Sequence, residues 1–243
     1  MIDWLRRDAA KSVGPSVRIG EHSLPVVIRR HPRAKRMILR LGTDGREVRV
    51  TLPPWGRTAE AVAFARSRAG WLAAQLASVP APGDPVAEGV IVYRGKTLTV
   101  EWNRTHPRRP RLQGDALMLG GPQEILPRRL QRWLEGEAER LLIADLADYC
   151  GEVGLAVPRL RLSRARRRWG SCAADGTIRI NWRLVQAPDF VRRSVVAHEV
   201  AHLLHFDHSP AFHACLAGLF EGDLREADRW LKAGGRTLYR QFG

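Results

Sequence analysis

The segment from His198 to His208 reads His-Glu-Val-Ala-His-Leu-Leu-His-Phe-Asp-His. It puts metal-ligating and proton-transferring groups within three helical turns. His198 and His202 are four residues apart, so on a helix they project from one face and can aim both imidazoles at one ion. Glu199 lies about 100° round the helix, beside that face, where it can reach a water on the ion without ligating the ion itself. A catalytic zinc has three protein ligands and one open position. His208, six residues after His202 and just past the expected helix end, is the candidate third ligand. A helix continuing at ~1.5 Å per residue would carry it away, so the chain must turn, and Asp207, Ser209 and Pro210 are suited to that. Zinc would lower the pKa of its water to about 7, and Glu199 would accept the proton.

With this composition, a His-Glu-x-x-His match is expected by chance roughly 0.014 times. Val195, Val196, Ala197, Val200, Ala201, Leu203 and Leu204 surround the motif, which predicts a largely buried helix. Buried His and Glu need partners, and a metal supplies them. Imidazole ligands make zinc the default and leave other divalent metals open. His205 is not expected to ligate, because His208 would then have no role. His213 falls on the following helix, as packing or as a neighbour of the ligands.

The elements that must hold these groups are legible around them. Pro188 suits a first helical turn and Asp189 the positive helix end, predicting a helix from there to about His205. Ser209-Pro210 begins another, to about Phe220, and Leu224 to Ala233 forms a last one that stops at Gly234-Gly235. Upstream, a 3–4 spacing of Leu126, Leu130, Leu134, Ala138 and Leu141 predicts a helix to about Cys150. Leu160 to Leu162 and Thr177 to Asn181 read as strands around Asp175-Gly176.

The first half reads as short strands with one helix. Strands are expected at Leu24 to Arg30, Met37 to Leu41 and Glu47 to Leu52, the last two joined by a Thr43-Asp44-Gly45 turn. Thr58 reads as an N-cap of a helix to about Ser78, and Pro80 to Pro85 as a turn or linker. Two hairpins follow, Val90 to Trp102 around Gly95-Lys96 and Arg111 to Leu119 around Gly114-Asp115. No repeat recurs at a fixed period. The expected organisation is α+β: a basic, antiparallel β-rich portion over residues 1–120 and a helical core over 121–243.

Composition bounds the rest. The chain has 243 residues, 40 Lys plus Arg against 25 Asp plus Glu, and a net charge of +15. At 44% hydrophobic it is too apolar for a disordered tail. Cys150, Cys172 and Cys215 form neither a disulfide framework nor a Cys-x-x-Cys pair, so a reducing compartment is expected. No signal-peptide core or membrane-spanning run is visible, which predicts a cytoplasmic protein without membrane contact. Residues 1–120 carry 21 basic and 10 acidic side chains, and ten more Arg fall between Arg159 and Arg193. Contact with nucleic acid or phosphate through this Arg-rich surface is open to the chain. Only four basic residues are Lys, so a coding bias toward Arg offers a second source of the charge.

The spacing 198, 202, 208 matches the metzincin pattern His-Glu-x-x-His-x-x-Gly-x-x-His, but His205 stands at its Gly. Met1, Met37 and Met118 all precede the motif, so no Met-turn follows it. Other motifs carry a closer likeness. Arg168-Trp169-Gly170-Ser171-Cys172, Asp175-Gly176, Ile180-Asn181-Trp182-Arg183-Leu184, Ala187-Pro188, Val195 to Leu203, and Asp207-His208-Ser209-Pro210-Ala211-Phe212 resemble the YgjP-like metallopeptidase domain, related to the SprT-like and WLM zinc peptidases. The likeness spans roughly residues 16–238.

This resemblance implies a zincin-like catalytic core, with His198, His202 and His208 on zinc and Glu199 as the base. It also implies that the Trp169–Cys172 loop and the strand around Ile180 lie against the active-site helix. The family usually has Trp where His213 stands, which leaves the cleft wall open. The related enzymes act on proteins attached to DNA. The leading expectation is a zinc metallopeptidase acting on a peptide or protein substrate, its oligomeric state unread. A zinc hydrolase of nucleotides or phosphoanhydrides, and a nucleic-acid module with a structural zinc, are the rivals. Cys172 could cap the zinc as a latency thiolate or simply fill a tight turn, the reading favoured here. Trp169 reads as core, and Asn181 as a partner of a ligand or of the backbone. Tyr239 and Arg166 to Arg168 are candidates to stabilise an oxyanion.

Overall fold

The computed structural model describes residues 14–42, 45–79 and 81–242. The chain start, Thr43-Asp44 and Pro80 lie outside the described residues. The contacts divide the chain between Val79 and Pro80. The boundary expected at 120 is thus displaced by about forty residues. The reason is the core: Ile91, Tyr93, Leu98, Leu117 and Leu119 are buried in one cluster with Leu126, Leu130 and Leu134. The two later hairpins therefore belong with the helices.

The first unit builds a four-stranded sheet from β1 (Ser16–Ile19), β2 (His22–Arg30), β3 (Ile38–Leu41) and β4 (Val48–Leu52), in the order β1-β2-β4-β3. β2 is long enough to pair twice. Its first part runs antiparallel to β1, and from Val26 it runs parallel to β4. The expected β3/β4 hairpin forms, with Leu39 opposite Val50. Val17, Ile19, Val48, Val50 and Leu52 alternate onto the face that packs with Ala61, Ala65 and Leu72. The single expected helix is two, α1 (Thr58–Ser67) and α2 (Ala69–Ala77), broken at Arg68, where ψ is 17°. Arg57, not Thr58, is the N-cap, its amide donating to the Glu60 carboxylate at 3.0 Å.

The second unit opens with a sheet of the same topology. β5 (Val90–Tyr93), β6 (Lys96–Trp102), β7 (Arg111–Gln113) and β8 (Ala116–Leu119) take the order β5-β6-β8-β7, and β6 and β8 run parallel. Two hairpins joined by a parallel pair, then a helix, occur in both units, although no sequence period announces it. Both sheets are mixed, not antiparallel as expected, because each returning strand slots beside the far arm of the preceding hairpin. The β5–β6 turn centres on Arg94-Gly95, whose φ values are 51° and 76°. Two residues at positive φ match the right-handed twist of the arms.

α3 (Leu126–Glu152) then buries Leu126, Leu130, Leu134, Ala138, Leu142 and Leu146 along one stripe. β9 (Leu160–Ser163), β10 (Gly170–Cys172) and β11 (Ile178–Asn181) make a three-stranded sheet in the order β10-β11-β9. The Asp175-Gly176 turn joins β10 to β11, and β9 runs parallel to β11. α4 (Asp189–Leu204), α5 (Pro210–Leu219) and α6 (Leu224–Gly234) complete the unit. The whole is α+β. No helix among the described residues is long and apolar enough to cross a membrane.

Candidate metal centre

α4 ends at His205, which adopts φ −135° and ψ 104° and so leaves the helix. The chain then turns, and the Ser209 side chain accepts the Phe212 amide to start α5. That turn returns His208 to the face carrying His198 and His202. One ring nitrogen from each of the three lies within 4.8 Å of the others. The Nε2 atoms of His198 and His208 are 3.4 Å apart. Phe212 lies fully buried beneath them, its ring centroid 5.0, 4.6 and 4.8 Å from those of His198, His202 and His208.

The ring of His205 is outside the cluster, as expected, but its backbone has a part. His202 Nδ1 lies 3.1 Å from the His205 carbonyl. Donating there leaves Nε2 with the lone pair a metal needs. Burial, helped by the neighbouring His202, His208 and His213, pushes His198 down to about 4. His198 is therefore neutral near pH 7 and able to ligate.

Glu199 is 4% exposed, and its Oε2 has no hydrogen-bond partner among the described residues. Burial pushes its carboxyl up to about 7, against the pull of the Cys172 amide and the Arg168 charge. β10 presses directly on it. A Cβ at Gly170 would sit 2.3 Å from Glu199 Oε1. An orphaned carboxylate oxygen beside three convergent imidazoles fits a cation-bound water, so the donor set fits a divalent metal.

A cleft of about 440 Å³ opens beside His198 and Glu199, lined also by Trp169, Val195, His213, Leu216, Leu224 and Leu231. His213 is thus a wall of the cleft.

The YgjP-like, metallopeptidase domain model matches residues 35–234. The chain belongs to the YgjP-like metallopeptidase family. No curated protein matches it. Among solved structures, the crystal structure of the metallopeptidase zymogen of Pyrococcus abyssi abylysin is similar at 22% identity and a TM-score of 0.34, over 41% of this chain and 96% of that one. Membership makes this YgjP-like protein a metallopeptidase and implies a metal ion, for which the histidine cluster is a suitable holder.

Other sequence candidates resolve differently in this YgjP-like fold. Cys172 lies outside the histidine cluster. Its thiol is pushed up by burial and by the charges of Glu199 and Asp175, and it contacts the Ala173 carbonyl at 3.6 Å. It ends strand β10, paired with Ile178, rather than filling a tight turn. Asn181 is fully buried, donates to the Ala165 carbonyl and Tyr239 hydroxyl at 2.8 and 3.0 Å, and accepts the Arg183 amide. Its partners are internal. Tyr239 donates its hydroxyl to the Ala165 carbonyl at 3.1 Å and packs by ring contact against Trp169 of the cleft wall. Of the Arg run, Arg168 is the one whose charge reaches Glu199.

The resemblance placed the Trp169–Cys172 segment against the active-site helix, and Gly170 does lie there. Sequence reasoning missed that Glu199 fills the space of a Gly170 side chain, the Phe212 floor and the His205 carbonyl. Gly170 and Phe212 both stand in the family-like motifs, which was the available signal.

Proposed function

We propose that the protein is a zinc-dependent peptidase with His198, His202 and His208 as ligands and Glu199 as general base. The observation that carries this reading is the buried Glu199 carboxylate, unpaired at Oε2, beside three ring nitrogens within 4.8 Å of one another. A zinc ion held by the three imidazoles supplies a Lewis acid for the peptide carbonyl and an acidified water. Glu199, poised near 7, takes the proton of the attacking water and delivers it to the leaving amine. Phe212 and the His205 carbonyl hold the rings in place, and Gly170 leaves the carboxylate its room. β10 stands at the edge of its sheet, where an extended substrate backbone can pair with it. The apolar cleft takes a substrate side chain.

The test is metal content and hydrolysis of unfolded protein, in the parent and in Glu199→Gln, with nucleoside triphosphates as comparison substrates. The expected result is about one zinc per chain in both and a turnover loss of about 10²- to 10⁴-fold, the range for a general base, in the variant. Full turnover by zinc-loaded Glu199→Gln would remove Glu199 from the role. Hydrolysis of nucleotides in preference to peptides would overturn the peptidase assignment.

A further inference from the structure

The second unit has a larger opening than the metal cleft. About 620 Å³ in volume, it lies between the loop after β6 and one stripe of α3. Arg108 and Arg109 come from the loop, and Arg129, Arg132, Trp133 and Arg140 from the helix. Positions 129, 132, 133, 136 and 140 recur at three- and four-residue steps, so they share a face. The stripe spans about 16 Å at ~1.5 Å per residue.

Five guanidiniums meet a single carboxylate here, Glu137. Glu137 is already engaged, accepting from Arg140 at 2.7 Å and from the Tyr93 hydroxyl at 2.7 Å. Arg129 donates to the Gly120 carbonyl at 2.5 Å. Arg108, Arg109 and Arg132 have no hydrogen-bond or ion-pair partner among the described residues. Like charges converging on a concavity repel one another, and a bound anion relieves that repulsion. The coding bias toward Arg explains how many arginines the chain has. It does not explain why five line one groove.

Gly136 adds an independent sign. It sits in mid-helix on the groove floor, and a Cβ there would meet nothing within 4 Å. Packing does not require glycine at this position, and glycine weakens a helix. What it provides is a low floor between Arg132 and Arg140, where a ligand can approach the backbone.

We propose that this groove binds the phosphate backbone of a single-stranded nucleic acid. The stripe is too long for one phosphate and suits a run of them. Guanidinium forks pair phosphate in two-point fashion. The Trp133 indole in the wall, half-buried against Tyr93 at a centroid distance of 5.0 Å, offers a base an aromatic neighbour. Bases in a duplex are already stacked, whereas a single strand presents its bases freely. The site is separate from the metal centre, and its test does not depend on peptidase activity.

The experiment measures anisotropy of a fluorescein-labelled oligothymidylate of about 20 nucleotides, titrated with the full chain from about 50 to 200 mM salt, a range over which phosphate contacts are strongly screened. Parent and Arg109→Ala/Arg132→Ala proteins are compared. The expected result is a Kd at least about tenfold weaker in the variant, with the slope of log K against log salt reduced by about 1.4, near 0.7 for each lost contact. Both side chains are exposed, so thermal stability and hydrolysis of a short peptide should be unchanged. Equal affinity and slope in the two proteins would overturn the proposal. So would competition by tripolyphosphate or poly-glutamate as effective, per charge, as by unlabelled oligonucleotide, since the groove would then be a general anion site.

Discussion

Gly170 has no room for a side chain because Glu199 occupies the space. Gly170→Ala should push the carboxylate off its position while leaving the three imidazoles untouched. A displacement near 1 Å at a reacting group costs about 10²-fold in rate. The expected outcome is that loss in kcat with zinc stoichiometry unchanged, measured by metal analysis beside turnover. Phe212 presents the opposite case, its ring lying beside those of His198, His202 and His208. Phe212→Ala should lower stability by about 3–5 kcal/mol, as for a fully buried aromatic. It should also weaken zinc binding, read by competition with a chromogenic chelator. At this scale the histidine triad was legible because helical spacing alone places two of its members. Gly170, Phe212 and the His205 carbonyl were not, because each matters through a contact with residues that its own spacing does not specify.

Among the elements, α4 is held by charge as well as by apolar packing. Arg192, 2% exposed, donates from Nε to Asp145 of α3 at 2.7 Å and also pairs with Asp189. Arg193 reaches Asp145, Asp148 and Glu221, and its guanidinium lies 4.7 Å over the Tyr149 ring. Removing one member of a buried pair strands the other. Asp145→Ala should therefore cost about 3–5 kcal/mol in a denaturant titration, and the double change with Arg192→Met distinctly less than the sum. The helix start is held by the β5–β6 turn. Arg94 Nε donates to Asp189 at 3.0 Å, and the Arg94 and Gly95 amides donate to the Val185 and Gln186 carbonyls at 2.7 and 2.9 Å. Burial raises the Asp189 carboxyl, but hydrogen bonds from Arg94 and Arg192 more than offset it, so its pKa is lowered. A lowered folded-state pKa gives stability that is present above the unfolded value and lost as pH falls through the folded one. Asp189→Asn should melt earlier than the parent at neutral pH, with the gap closing below about pH 4.

Helices were the readable elements, since α3 to α6 announce themselves by apolar period and by end residues such as Ser209, Pro188 and Gly235. Strand partners were not. β9, β10 and β11 are three or four residues long, too short for their pattern to name a neighbour, and the parallel pairing of β9 with β11 follows from the loop between them.

At the scale of the molecule, the two units have separate cores, and the histidines belong to the second. Ligand binding stabilises only the fold that forms the site, by about 2.7 kcal/mol at a hundredfold excess over Kd. Chelation should therefore lower the melting transition reported by Trp169 in the cleft wall and Trp182 in the core of the second unit. The transition reported by Trp55 and Trp71 in the first unit should hold. A uniform shift of both would contradict the assignment of the metal to residues 198–208. The N-terminal boundary was misplaced in the sequence because hairpins 90–119 look like those before them. Their apolar faces match α3, and nothing in a single strand records which helix it will cover.

The segment 238–242 closes the second unit on itself. Gln186 donates to the Leu238 carbonyl at 3.1 Å, Gly83 to the Arg240 carbonyl at 2.9 Å and Arg183 to the Phe242 carbonyl at 3.1 Å. Gln241 donates to the Val90 carbonyl at 2.9 Å. A ribosome adds about 5–20 residues each second and releases them in order. The first unit can fold while the second is still being made. The second receives its histidines well before the residues that brace Asn181, Trp169 and the turn ahead of α4. A nascent chain thus holds His198, His202 and His208 before residues 238–242 exist to complete the frame around them, so the histidine cluster is made ahead of its bracing.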